Sequence, residues 1–144
     1  MQPSVAAVLS SLKPSVFVMD CLPNMQQDSG EQVSNATISV LTQIRRALGP
    51  DVPILTLEGH EYTNNWIKTA QQDSQNSLCS AQHTAVTELS KTIPNLHYAT
   101  SKGKLGSDPA VAAESTGGMG VHPTSLAHLH IAQFVAAKLH ELGI

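Results

Sequence analysis

Two rhythms of apolar positions alternate along the chain. Val5, Val8, Leu9 and Leu12 recur at helical spacing behind Pro3, and Lys13-Pro14 ends the pattern. Val16-Phe17-Val18-Met19 follows, a continuous apolar run of strand length. A run without polar alternation predicts a strand buried on both faces, as in a parallel sheet. From Glu31 to Leu48 the apolar residues are Val33, Ala36, Val40, Leu41, Ile44, Ala47 and Leu48, again helical, with Gly49-Pro50 as the stop. Pro53 to Leu57 is the second predicted strand. A polar loop covers Glu58 to Trp66. A third helix runs from about Ser74 to Lys91 on Leu78, Ala81, Ala85 and Leu89, and Leu96 to Ala99 is the third strand. Thr100 to Gly120 is a glycine-rich loop, and Pro123 opens a last helix.

The order α, β, α, β, α, β, α predicts an α/β fold, a parallel sheet with helices on both faces in a three-layer α/β/α arrangement. Ligands of such sheets bind beyond the carboxyl ends of the strands. Those ends lead into the Asp20–Asn24 loop, the Glu58–Trp66 loop and the Thr100–His122 loop.

Composition narrows the function classes. The chain has 144 residues, which suits a single domain over 1–144. It is 41% hydrophobic but only 3% aromatic, so its core is aliphatic. A net charge of -3 with 8 Lys+Arg leaves no basic footprint for a nucleic-acid partner. No apolar run approaches the ~20 residues of a membrane span. The N-terminus lacks the basic region of a signal peptide. Asn35-Ala36-Thr37 is a glycosylation triplet inside a predicted helix, so the compartment stays open. Cys21 and Cys79 are too few for a disulfide framework, although one bridge between them stays open.

Candidate chemistry sits on two segments. In Gly118-Met119-Gly120-Val121-His122-Pro123-Thr124, His122 stands at the end of a glycine-rich loop, just ahead of a helix. A histidine there can take a proton from a serine hydroxyl and return it to a leaving group, or it can simply cap the helix. In Leu22-Pro23-Asn24-Met25, the Asn24 amide can donate to a developing oxyanion, or Asn24 can serve as a turn residue. His122, His128 and His130 cluster in sequence, but their spacing lacks the i, i+4 pair of a helical zinc site, so no metal is expected. Cys21, at the end of the first strand, reads as a packed thiol rather than a nucleophile. A flavodoxin-like nucleotide binder would need a glycine-rich phosphate loop after the first strand, and Asp20-Cys21-Leu22-Pro23-Asn24 is not one.

Together, Val16 to Met25 and Gly120 to His128 resemble the SGNH/GDSL hydrolase family, in particular its esterase-type branch. Leu57 to Asn65 and Asn95 to Tyr98 are similar to that branch as well. The resemblance implies a three-layer α/β/α ester hydrolase acting on a small-molecule ester, with no cofactor. It implies Asn24 as the oxyanion-hole donor and His122 as the general base. Two departures stand out. The Gly-Asp-Ser-type segment that carries the family's nucleophile is absent, as is the block with its oxyanion-hole glycine. The expectation is therefore an N-terminally incomplete domain of about three strands, inactive alone. The second departure is Met119, at the position where the family places the aspartate that orients the histidine; backbone carbonyls or one of Asp108, Glu114 and Glu58 are the candidate substitutes, and without one the expectation is a Ser-His dyad or a degenerate site. A non-catalytic remnant, acting as a binding or interaction module, is the competing expectation. In the family, the strand matching Val16–Met19 lies beside the absent first strand. The resemblance thus implies an unpaired edge there, open to self-association.

Overall fold

The computed structural model describes residues 3–20, 28–59, 69–100 and 125–144. The elements are α1 (Pro3–Leu12), β1 (Phe17–Met19), α2 (Gly30–Leu48), β2 (Ile54–Leu57), α3 (Thr69–Ser90), β3 (Leu96–Ala99) and α4 (Ser125–Glu141). The three strands form one sheet in the order β1-β2-β3, and both pairings are parallel. This is the α/β architecture expected from the alternation of apolar runs and helical stripes.

Contacts divide the chain into two compact units, residues 1–58 with 77–99, and residues 59–76 with 100–144. The first holds the sheet. The register sets Phe17, Ile54 and Leu96 in one row and Met19, Thr56 and Tyr98 in another. Both rows point to the same face, because side chains alternate along a strand. Met19, Ile54 and Leu96 there join Leu41 and Ile44 of α2 and Val86 of α3 in the main core, with Leu9 of α1 packed against it. Leu55 and Leu57 point the other way and are buried too. The central strand is therefore enclosed on both faces, as its unbroken apolar run requires.

β1 departs from that rule. It was expected to be buried on both faces, but Val18 is 37% exposed. The reason is position. β1 is an edge strand, and no second strand pairs with it among the described residues.

Helix ends follow local chemistry. Ser29 caps α2 in a reciprocal box: its Oγ accepts from Gln32 N–H at 3.2 Å, and its own N–H donates to Gln32 Oε1 at 2.7 Å. Lys13 takes a left-handed conformation (φ 46°) after α1, with Pro14 behind it. In the second unit, α4 ends on Gly143 (φ 73°), where Gly143 N–H donates to His140 O and Ile144 N–H to Leu139 O. α2 buries Val33, Thr37, Leu41, Ile44 and Arg45. Thr37 of the Asn35-Ala36-Thr37 triplet is only 4% exposed, while Asn35 faces solvent.

One side chain ties the amino edge of the sheet together. The Arg45 guanidinium donates through Nη1 to Gly49 O (2.5 Å) and Val52 O (2.8 Å), and through Nη2 to Pro94 O (2.8 Å) and Asn95 O (3.3 Å). It thereby joins the end of α2 to the turns that feed β2 and β3. Asn95, at φ 53°, adds a bond from Nδ2 to Pro50 O at 3.2 Å.

Candidate functional site

Three parallel strands end at one edge of the sheet: β1 at Met19, β2 at Leu57 and β3 at Ala99. The segments that carry the candidate residues leave from that edge. Asn24, Cys21, His122 and Met119 themselves lie outside the described residues, as do Asp108 and Glu114.

Glu58 follows β2 directly. Its N–H donates to Ala99 O at 2.9 Å, which extends the ladder by one step, and its residue is half-buried. On the α3 side of the sheet, Tyr98 stacks on His83 with ring centroids 4.5 Å apart and planes 15° from parallel. The Tyr98 hydroxyl donates a long bond to Cys79 O at 3.4 Å. Burial pushes the Tyr98 phenol well above its ordinary pKa, and the negative fields of Glu58 and Cys79 push it the same way. Tyr98 is therefore a neutral donor at physiological pH and cannot serve as a base. Sequence reasoning singled out Glu58 but passed over Tyr98 and His83. Their signal was available in part: Tyr98 lies one residue inside the carboxyl end of a strand. No spacing rule links it to His83 on α3.

Cys79 is buried, and Cys21, the other half of the bridge left open by the sequence, lies outside the described residues. Among the described residues, no three His, Cys, Asp or Glu side chains gather where they could hold a metal ion. His128 is exposed on α4 and His130 is half-buried. Within the described residues, no helix is long and apolar enough to cross a membrane.

Three parallel strands alternating with helices define an α/β protein. The chain belongs to the GDSL-like lipase/acylhydrolase family, which it matches over residues 1–140. It is similar in fold to a Bacteroides ovatus protein assigned to the GDSL-like lipases, whose crystal structure was solved at 1.40 Å. The TM-score is 0.77 at 20% identity, over 98% of this chain and 40% of the other. The chain thus spans about two-fifths of the length of that protein. No curated protein sequence matches the chain.

Proposed function

We propose that residues 1–144 supply part of one SGNH-type domain that hydrolyses a small-molecule carboxylic ester, with His122 as general base and Asn24 as oxyanion donor. The observation that carries this reading is the family match over residues 1–140, which includes both positions. In the reaction, a serine Oγ attacks the acyl carbon while His122 takes the hydroxyl proton. The Asn24 amide N–H donates to the oxygen that gains charge. Collapse of the tetrahedral species expels the alcohol, which takes the proton from His122, and water releases the acid by the same steps in reverse order. No Gly-Asp-Ser-type segment lies in residues 1–144, so the serine comes from polypeptide outside them and this chain alone does not turn over esters.

Met119 bears on the histidine. A thioether cannot accept the imidazole N–H as a carboxylate does, so the ring is oriented by backbone carbonyls or by another acid, or the site works as a Ser-His dyad. Glu58, half-buried at the end of β2, is one such acid, with Asp108 and Glu114 as the others.

The test is to assay a short-chain aryl ester with residues 1–144 and with His122→Ala. Equal rates at background are expected. Turnover above background that disappears in His122→Ala would refute the inactive-alone reading and reveal an unassigned nucleophile. Joined to a serine-bearing segment, the chain is expected to hydrolyse the ester, and Asn24→Ala and His122→Ala to abolish that activity. A joined protein insensitive to both would refute the assigned roles. Met119 and the absent serine segment favour a second reading, a non-catalytic binding or interaction module. That reading gains if the joined protein binds the aryl ester in calorimetry without consuming it.

A further inference from the structure

A polar level interrupts the apolar layer between the sheet and its helices. Gln82 of α3 and Thr56 of β2 are 0% exposed, and Thr37 of α2 is 4% exposed. Gln82 Nε2, Gln82 Oε1 and Thr56 Oγ1 are enclosed and have no hydrogen-bond partner among the described residues. Buried amides and hydroxyls are nearly always paired, with protein or with ordered water. Gln82 lies one turn from Leu78 and one turn from Val86, on the buried stripe of α3, so its amide is turned inward with theirs.

The elements bring these residues to one height above the sheet. α2 and α3 each enter the next strand through a short connection, so both run antiparallel to the strands. Tyr98 stacks on His83 and reaches Cys79 O, which sets the 79–83 turn of α3 over the row nearer the carboxyl edge. Thr56 stands in that row, between Met19 and Tyr98. Ser34 Oγ donates to Ala81 O at 3.3 Å, which sets the 34–37 turn of α2 at the same height. Apolar residues close this level off. Below it lie Leu41, Ile54 and Val86 of the main core. Above it, Val33, Leu78 and Cys79 form a second buried cluster, which stands between the polar level and the carboxyl edge of the sheet. Met19, itself buried, stands between Thr56 and the outer edge of β1.

We propose that one enclosed water molecule is bound at this level, between α2, α3 and β2. Its oxygen accepts from Gln82 Nε2, and its protons go to Gln82 Oε1 and Thr56 Oγ1. A buried water typically makes about three such bonds. The chemistry of the site selects this ligand. The atoms to be satisfied are an amide N–H, a carbonyl oxygen and a hydroxyl, so the ligand has to donate and accept at once. Thr37, Thr56 and Gln82 carry no charge to compensate an enclosed ion. The two apolar clusters leave the level to something small enough to be sealed in with the side chains. The inference rests on the packing of α2 and α3 against the sheet, and it stands or falls independently of ester hydrolysis.

The experiment is water–protein Overhauser spectroscopy on the 144-residue chain labelled with nitrogen-15. The Gln82 side-chain NH2 protons are expected to show a cross-peak at the water frequency, with the sign that marks a long-lived contact. In Thr56→Val the cross-peak should persist, because the Gln82 amide keeps the water; a signal relayed through the exchanging Thr56 hydroxyl would vanish. Relaxation dispersion of water oxygen-17 counts long-lived waters directly, and Gln82→Met should lower that count by about one per chain, with an unchanged circular dichroism spectrum as the check on folding. Should Gln82→Met fail to fold, the parent and Thr56→Val spectra decide alone. The absence of a water cross-peak at Gln82 in the parent overturns the proposal. So does a cross-peak lost in Thr56→Val, an oxygen-17 count unchanged in folded Gln82→Met, or Overhauser contacts that tie the Gln82 NH2 to residues 21–27, 60–68 or 101–124 in place of water.

Discussion

Replacing Arg45 with methionine keeps most of the apolar stem and removes the fork that binds four carbonyls. Three of its bonds are 2.8 Å or shorter and the fourth is 3.3 Å. Hydrogen bonds from a charged donor contribute about 1.5–3 kcal/mol each, so the gross loss is roughly 6 kcal/mol. Two terms reduce it. Arg45 Nε is buried without a partner, a cost of about 1–3 kcal/mol that methionine does not incur. Pro94 and Asn95 are exposed, so water can replace the fork at their carbonyls. The expected net loss is about 3 kcal/mol, or roughly 10 °C in Tm for a chain of this size. Arg45→Lys retains the charge but cannot reach both turns at once, so about half that loss is expected. Urea unfolding followed by circular dichroism, with a thermal melt beside it, measures both. A melting point for Arg45→Met within about 2 °C of the parent would show that the two turns hold β2 and β3 without the fork.

Among the described residues the fully buried Thr56 hydroxyl has no partner, so Thr56→Val should be neutral or stabilising by up to about 1 kcal/mol in urea unfolding; a clear loss would reveal a partner for that hydroxyl. Ser29→Ala removes the Oγ that accepts from Gln32 N–H, while the Ser29 N–H bond to Gln32 Oε1 can remain, and should cost about 1 kcal/mol by the same measurement. Burial, and then the positive field of Arg45, hold the His97 pKa below its unfolded value of 6.5. The fold therefore favours neutral His97, and stability should fall as pH drops below that value; His97→Gln should flatten the acid limb. Tyr98 is shifted upward from 10.0, so its phenolate is disfavoured in the fold and stability should fall as pH rises beyond that value. Tyr98→Phe should flatten the alkaline limb, and an unchanged slope would disprove the assignment.

How much of this was legible depended on whether a residue's role was local. Leu96–Ala99 was read to the residue because a short run with Leu96, Tyr98 and Ala99 lies between the Pro94-Asn95 break and a polar segment. α2 was equally clear, with its stripe and the Gly49 stop. α3 begins at Thr69, five residues before the expected start, because Thr-Ala-Gln-Gln-Asp carries no apolar stripe. The partial exposure of Val18 was missed in the reading of its run as doubly buried, since an edge strand and a central strand of this length look alike in sequence. Arg45 shows the opposite limit. Its bonds to Pro94 and Asn95 cross 49 and 50 residues, and no pattern in the chain announces them. The candidate chemistry rests on motif and order alone, in the Pro-Asn-Met and His-Pro-Thr segments, whose Asn24 and His122 lie outside the described residues. The pairing of Tyr98 with His83 was not, because it depends on how α3 lies against β3.

The burial of Thr37 also sets an order of events during synthesis. Attachment of a glycan at Asn35 requires the whole triplet to be read, and α2 presents Asn35 outward while enclosing Thr37 against the core. In a secretory host, transfer to Asn35 has to precede the packing of α2. Once α2 has packed, the enclosed Thr37 closes the triplet to the transferase, so only the unpacked chain could be modified at Asn35.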